Sequence, residues 1–134
     1  MTGETRVPIK QESDIVTARQ QGRALAAQSG FSSIEQTFIA TAISEVARNI
    51  IVYAGSGEIV LRTVQRNGGK PGIVIVARDQ GPGIPDVALA MRNGYSTANS
   101  LGLGLPGAKR MMDEFEIVSE MGKGTTITMK KWKQ

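Results

Sequence analysis

An apolar strand segment that ends at a single acidic residue constrains the fold of this chain more than any other feature. Five consecutive apolar residues, Ile73–Ala77, lead through one arginine to Asp79, and glycines and prolines follow at once (Gly81, Pro82, Gly83 and Pro85). Prolines cannot continue a strand ladder, and glycines allow a sharp bend or a close approach of the backbone to a flat ligand. The segment is therefore either a Gly/Pro turn that begins with an Asp, or a pocket whose carboxylate accepts a hydrogen bond from an amine such as that of adenine.

Apolar periodicity predicts three main helices and five strands around this segment. A capping box, Ser32 followed three positions later by Glu35, opens the longest helix, which should end near Tyr53. Ser13 or Asp14 is expected to cap the helix before it. The predicted order is a strand at 5–10, helices at about 14–29 and 33–53, strands at 58–64 and 72–78, a short helical piece at 86–91, a helix from 102 to about 114, and strands at 115–119 and 125–130.

This order of elements favours an α+β fold. We expect a two-layer α/β sandwich, with the three main helices on one face of a mixed, mostly antiparallel sheet. A length of 134 residues suits a single domain, 1–134.

The composition limits the possible chemistry. The chain has neither histidine nor cysteine, which excludes Ser-His and Cys-His catalysis and thiolate metal sites and leaves carboxylates, amides, backbone and a hard cation such as Mg²⁺. A net charge of +4 permits a nucleic-acid partner, but six aromatic residues offer little surface for stacking bases. No apolar run approaches the ~20 residues of a membrane span. We therefore expect a cytoplasmic protein with no nucleic-acid or membrane partner.

Glu45 and Asn49 form a second candidate constellation, because residues four apart project from one flank of a helix. An Asn amide oxygen is a hard ligand of the kind that Mg²⁺ accepts, and a Glu one turn earlier can deprotonate an attacking hydroxyl. The alternative is a solvated polar flank of an amphipathic helix.

Two glycine pairs complete the set of candidate motifs. Gly102 and Gly104 open a helix whose N-terminal N–H groups suit a phosphate, and the Gly-, Ser- and Asn-rich stretch at 93–101 suits a lid. Gly122 and Gly124 predict a hairpin turn ahead of Thr125.

The order of these motifs resembles the four nucleotide-binding boxes of the Bergerat-fold (GHKL) ATPases. Glu45-x-x-x-Asn49, Asp79-x-Gly81-x-Gly83, Gly102-x-Gly104 and Gly122-x-Gly124-Thr125 follow in the sequence of the N, G1, G2 and G3 boxes. Within that superfamily the chain resembles the anti-sigma-factor serine kinases, and most of all the RsbT-type switch kinases of the stressosome. The resemblance spans nearly the whole chain.

The resemblance implies a role for each matching residue. Asn49 would hold Mg²⁺, Asp79 would bind the adenine amine, and Glu45 would be the catalytic base. Gly81 and Gly83 would shape the base pocket. The phosphates would be lined by Gly102, Gly104 and Leu105. Thr125 would support the adenine end. The chain lacks the lid arginine that sigma-sequestering kinases carry ahead of Gly-x-Gly, which leaves three candidates for the γ-phosphate contact (Arg48, Arg92 and Lys109).

The implied function is an ATP- and Mg²⁺-dependent protein serine/threonine kinase that acts as a partner-switching regulator. Its substrates would be STAS-domain proteins, and the released kinase would activate a PP2C-type phosphatase. Two alternatives remain open. One is an anti-sigma-factor kinase that binds a sigma factor directly, and the other is a non-catalytic, nucleotide-dependent binding module.

Overall fold

The computed structural model describes residues 4–66, 68–84, 87–91 and 104–134. Its architecture is one antiparallel sheet with helices packed against it. The strands are β1 (Thr5–Ile9), β2 (Gly57–Gln65), β3 (Pro71–Asp79), β4 (Glu114–Glu120) and β5 (Gly124–Trp132). The helices are α1 (Glu12–Gln28), α2 (Ser33–Ala54), α3 (Val87–Ala90) and α4 (Gly104–Met111). The predicted α+β class, with its helices over one face of a mostly antiparallel sheet, is confirmed.

The strand order in the sheet is β1-β2-β3-β5-β4, and all four ladders are antiparallel, so no parallel pair occurs among these strands. β1 pairs only with β2, which leaves Pro8 on an edge strand where its missing N–H breaks no ladder. β5 lies between β3 and β4. The C-terminal end of β3 therefore lies beside the N-terminal end of β5, and Asp79 lies opposite Thr125.

Helix α2 carries the apolar stripe that the sequence predicts. Ile39, Ile43, Val46 and Ile50 are at most 1% exposed, while Tyr53 is partly buried. The predicted capping box is present, since the Glu35 N–H donates to Ser32 Oγ at 3.2 Å and the Ser32 N–H donates to Glu35 Oε1 at 3.0 Å. The box begins the helix at a defined residue and fixes which of its faces meets the sheet.

Two helix boundaries differ from the sequence prediction. The N-cap of α1 is Gln11 rather than Ser13 or Asp14, because the Asp14 carboxylate accepts the backbone N–H groups of Lys10 (2.8 Å) and Gln11 (3.1 Å) from the third position of the helix. Helix α4 ends at Met111 rather than near residue 114, because the N–H of Asp113 donates to the Lys130 carbonyl of β5 at 2.9 Å.

The predicted lid at 93–101, together with Arg92 and Gly102, lies outside the described residues. Within the described ranges, no helix combines the length and the apolar character needed to cross a bilayer.

Candidate functional site

Asp79 ends β3 with its side chain buried at 8% exposure. Its Oδ1 atom accepts hydrogen bonds from the backbone N–H of Gly81 at 3.0 Å and of Thr125 at 3.2 Å. These two donors fix the orientation of the carboxylate. Its second oxygen, Oδ2, has no hydrogen-bond partner among the residues that the structure describes. A buried carboxylate with one engaged oxygen and one open oxygen is suited to accept a donor group of a ligand.

The glycines after Asp79 let two neighbouring elements approach the loop closely. A Cβ at Gly81 would lie 2.5 Å from the Cβ of Ala54, at the C-terminal end of α2. Gly83 has a φ of +87°, and a Cβ there would lie 2.6 Å from the carbonyl oxygen of Glu120 at the end of β4. The loop therefore fits between α2 and the β4–β5 turn only because these positions lack side chains. Their contact with a base stays a prediction.

Glu45 and Asn49 are each only 4% exposed, so the interpretation of this flank as solvated is wrong. The same half of α2 lies beside Asp79. A Cβ at Gly57 would lie 2.9 Å from Ile50 Cγ2 and 3.1 Å from Asp79 Cβ, so Ile50, the residue after Asn49, and Asp79 both border Gly57. Glu45 and Asp79 line two different clefts, so a shared site for the acid, the amide and Asp79 stays a prediction.

Asn49 is suited to the hard cation that the motif implies. Its side chain is 4% exposed and makes no hydrogen bond with another residue in the described ranges. The described residues contain no group of three or more acidic side chains that could hold a metal ion. A single amide oxygen fits Mg²⁺ in the manner typical of nucleotide sites, where phosphates and water supply most ligands.

Glu45 lines a cleft of about 200 Å³ between α1 and α2. Arg48 lines it too, and the Nη1 atom of Arg48 lies 4.0 Å from Glu12 Oε1. The Nε atom of Arg48 is buried and has no hydrogen-bond partner in the described part of the chain. The cleft therefore places a cationic group beside the predicted base.

A larger cleft, of about 580 Å³, lies against Asp79 and Gly81 and is bordered by three cations, Lys10, Arg78 and Lys123. Lys123 lies 3.4 Å from Glu120, whereas Lys10 and Arg78 have no ion pair within the described ranges. These three cations outnumber the two carboxylates of the lining, Asp79 and Glu58, and the excess of positive charge favours the approach of an anionic ligand.

Helix α4 supplies the remaining predicted phosphate-binding positions. Gly104 and Leu105 are buried in its first turn, and the helix packs against α2. Backbone N–H groups at the N-terminus of a helix favour the binding of phosphate. Lys109 is exposed in the last turn of α4, and Arg92 lies outside the described residues. The choice of γ-phosphate contact among Arg48, Arg92 and Lys109 therefore stays open.

One polar residue of this region was not among the candidates. Ser119 lies opposite Thr125 in the β4–β5 ladder, and its Oγ accepts the N–H of Ile84 at 2.8 Å and lies 2.9 Å from Thr125 Oγ1. Alternation along 115–119 places Ser119 on the same face of the strand as Phe115 and Ile117. A polar residue on that otherwise apolar face is the sequence feature that could have identified Ser119 as a candidate.

Comparison with known sequences assigns the family. Residues 7–131 match the histidine kinase-like ATPase domain. The serine/threonine-protein kinase RsbT of Bacillus subtilis is 52% identical over 132 residues, which cover 98% of each protein. The anti-sigma F factor of Caldanaerobacter subterraneus is 35% identical over 118 residues, 86% of this chain and 82% of that protein. That of Geobacillus stearothermophilus is 31% identical over 121 residues, 85% of this chain and 81% of that protein.

Solved structures support the fold. The crystal structure of the RsbU and RsbW domains of a Mycobacterium tuberculosis protein matches 98% of this chain with a TM-score of 0.63 and 20% identity. Full-length ShkA in complex with AMPPNP matches 97% with a TM-score of 0.54 and 17% identity. This chain spans 32% of the length of each of those chains. Together with the sequence relatives, these matches show that the chain belongs to the histidine kinase-like ATPase domain family and, within it, to the RsbT-type serine/threonine-protein kinases.

Proposed function

We propose that this chain is an ATP- and Mg²⁺-dependent protein serine/threonine kinase that works as a partner-switching regulator. The observation that carries the proposal is the burial of Glu45 and Asn49 one turn apart on α2, in a chain that is 52% identical to a serine/threonine-protein kinase over nearly its whole length. The residue types and their spacing also match the N box of the Bergerat-fold ATPases, which favours a chemical role for both. We further propose that residues 1–134 act as one Bergerat-fold domain. Because ATP is the phosphate donor, the site of action would be cytoplasmic.

The base end of the site would be formed by β3 and β5. Oδ2 of Asp79 would accept a hydrogen bond from the exocyclic amine of adenine, while Oδ1 stays bonded to the backbone N–H groups of Gly81 and Thr125. The two backbone bonds keep the carboxylate in one orientation, which reduces the ordering cost of binding. Gly81 and Gly83 would let the loop lie close to the ring.

The phosphate end would be formed by α2 and α4. The amide oxygen of Asn49 would be the one protein ligand of Mg²⁺, and the ion would neutralise charge on the phosphates when bound. Leu105, in the first turn of α4, would place backbone N–H groups toward phosphate oxygens, together with Gly102 and Gly104.

Glu45 would act as the general base. Its carboxylate would take the proton of a substrate Ser or Thr hydroxyl as that oxygen forms a bond to the γ-phosphorus. The bond between the γ-phosphorus and the β–γ bridging oxygen would break, and ADP would leave with the bonding electrons. Because Glu45 is only 4% exposed, its burial would keep bulk water from competing for the phosphoryl group.

The proposed substrates are STAS-domain proteins, and the proposed second partner is a PP2C-type phosphatase that the released kinase activates. The support is the 52% identity with RsbT over nearly the whole chain. Identities of 31–35% with anti-sigma F factors support a second candidate, a kinase that binds a sigma factor directly.

Transfer of radiolabelled phosphate from ATP to a STAS-domain partner tests the proposal. We expect transfer by the wild-type protein and transfer lower by about a hundred-fold or more in Asn49→Ala, with Ser44→Ala on the same helix as the control. ATP binding without transfer to any partner would favour a non-catalytic binding module. Capture of a sigma factor, but of neither a STAS nor a PP2C protein, in pull-downs with and without ATP would favour the second candidate.

A further inference from the structure

Three side chains form a row across the sheet at the end of β3. Asp79 lies opposite Thr125, and Thr125 lies opposite Ser119, so the row crosses β3, β5 and β4. Asp79 and Thr125 are 8% and 3% exposed, and Ser119 is partly buried. The row ends at the loop after Asp79, because the backbone N–H of Ile84 donates to Ser119 Oγ at 2.8 Å. Hydrogen bonds thus link the polar groups of three strands and one loop in a continuous row.

The hydrogens of this row can be counted. A backbone N–H only donates, so Ile84 occupies one lone pair of Ser119 Oγ and leaves the serine's single hydrogen for another acceptor. The nearest such acceptor in the described residues is Thr125 Oγ1, 2.9 Å away. When Ser119 donates there, the hydrogen of Thr125 has no acceptor in the described part of the chain and remains available to a ligand. Each bond in such a chain polarises the next in the same direction.

We propose that Ser119 is a positioning residue that holds Thr125 as a donor beside the acceptor Asp79, and that Ser119 thereby sets how strongly the site prefers adenine over 6-oxopurines. The inference rests on the proposed nucleotide site. Adenine presents an amine donor next to a ring-nitrogen acceptor, which matches Asp79 Oδ2 and the Thr125 hydroxyl. Hypoxanthine and guanine present a carbonyl acceptor next to an N–H donor at the same edge. With these bases the acceptor Asp79 would face the carbonyl oxygen and the donor Thr125 would face the N–H group. Such mispaired buried groups lose more affinity than correct pairs contribute.

The ratio of ATP to ITP affinity distinguishes a positioning role for Ser119 from a purely structural one. A structural serine would alter the affinity of every purine nucleotide by the same factor. A serine that orients Thr125 alters the ratio of ATP to ITP affinity, because ITP carries hypoxanthine in place of adenine. The ratio is therefore the diagnostic quantity.

Titration calorimetry with ATP and ITP on wild-type, Ser119→Ala and Ser119→Thr proteins tests this. We expect Ser119→Ala to lower the ratio of ATP to ITP affinity by about three- to ten-fold, the range of one hydrogen bond. Ser119→Thr keeps the hydroxyl and should retain the wild-type ratio. Thr125→Val removes the donor itself, leaves the bond between Ile84 and Ser119 in place, and should lower the ratio at least as far.

An unchanged ratio in Ser119→Ala would overturn this inference while leaving the kinase proposal intact. Should Ser119→Ala not fold, Ser119→Val, the apolar counterpart of Ser119→Thr, supplies the ratio in its place. Wild-type protein that bound neither nucleotide would overturn the kinase proposal and this inference with it.

Discussion

The ammonium of Lys131 donates a hydrogen bond to the carbonyl oxygen of Met111 at a distance of 2.9 Å. Lys131 belongs to β5 and is only 8% exposed, and Met111 is the last residue of α4. A cation at a helix C-terminus stabilises the helix through its dipole and its unpaired carbonyls. The ammonium also lies 5.4 Å from the ring centroid of Phe38 on α2. One buried lysine thus joins the sheet, α2 and the end of the helix whose opposite end would face phosphate.

Replacement of Lys131 should therefore destabilise the protein. Lys131→Met keeps most of the side-chain volume but removes the charge-assisted bond to Met111, which is worth about 1.5–3 kcal/mol. Urea denaturation of both proteins measures the change in the free energy of unfolding. Lys70→Met is the matched control, because Lys70 is exposed. Equal stability of the two variants would contradict the role given to Lys131.

Asn49→Ala should separate activity from stability. The change removes the proposed Mg²⁺ ligand, and phosphoryl transfer should fall by about a hundred-fold or more. Alanine has a higher helix propensity than asparagine, and the Asn49 side chain has no hydrogen bond in the described ranges, so the melting temperature should not fall. Transfer assays and thermal denaturation on the same preparation measure both quantities. Wild-type transfer rates in the variant would exclude Asn49 as a ligand.

Glu45→Gln should lower the rate of phosphoryl transfer while leaving ATP binding in place. Glutamine keeps the shape of the side chain but cannot accept the substrate proton, and loss of a general base lowers kcat by about 10²–10⁴-fold. Glu12→Gln on α1 is the control, because Glu12 borders the same cleft with its side chain 79% exposed. Single-turnover transfer at saturating ATP measures the rate. Similar rates for the two variants would argue against Glu45 as the base.

Glu35 should make the stability of the protein depend on pH. Burial tends to raise the pKa of this carboxyl group, but hydrogen bonds from the N–H and hydroxyl of Ser32, with smaller contributions from Gln134 and Lys131, outweigh burial and lower the pKa below the ordinary value of 4.5. A carboxylate with a lowered folded-state pKa contributes stability above its unfolded-state pKa and loses that contribution as the pH falls through the folded value.

Glu35→Gln should therefore lower stability at neutral pH and have a progressively smaller effect below about pH 4.5, the ordinary pKa of the group. Denaturation midpoints between neutral and acidic pH measure the difference between the variant and the wild type. Glu116→Gln, at an exposed position of β4, should leave the pH profile unchanged. A constant difference between wild type and Glu35→Gln across the range would contradict the assignment.

Local sequence signals predicted the elements correctly and placed the boundaries less well. The Ser32 and Glu35 box and the stripe from Ile39 to Ile50 depend on residues within one or two turns, so spacing alone identifies them. The end of α4 could not be found in this way, because a bond from Asp113 to the distant Lys130 decides it.

The candidate site shows the same difference between local sequence signals and contacts that join distant residues. Asp79 was identified because its apolar strand and its Gly/Pro loop are contiguous in sequence. Ser119 was missed because its partners, Ile84 and Thr125, lie 35 and 6 positions away and meet only through strand register. The burial of Glu45 and Asn49 likewise follows from how α2 packs, which helical spacing alone does not specify.

The interior position of β5 has a consequence for synthesis on the ribosome. Although β5 follows every other strand in sequence, it lies between β3 and β4 and supplies the backbone N–H of Thr125 that orients Asp79. A nascent chain that has produced only residues up to 123 holds the three-stranded sheet β1-β2-β3, an unpaired β4 and a carboxylate without this donor. The proposed nucleotide site would therefore be complete only after the β5 segment has emerged, and a prematurely terminated chain presents open strand edges to other molecules.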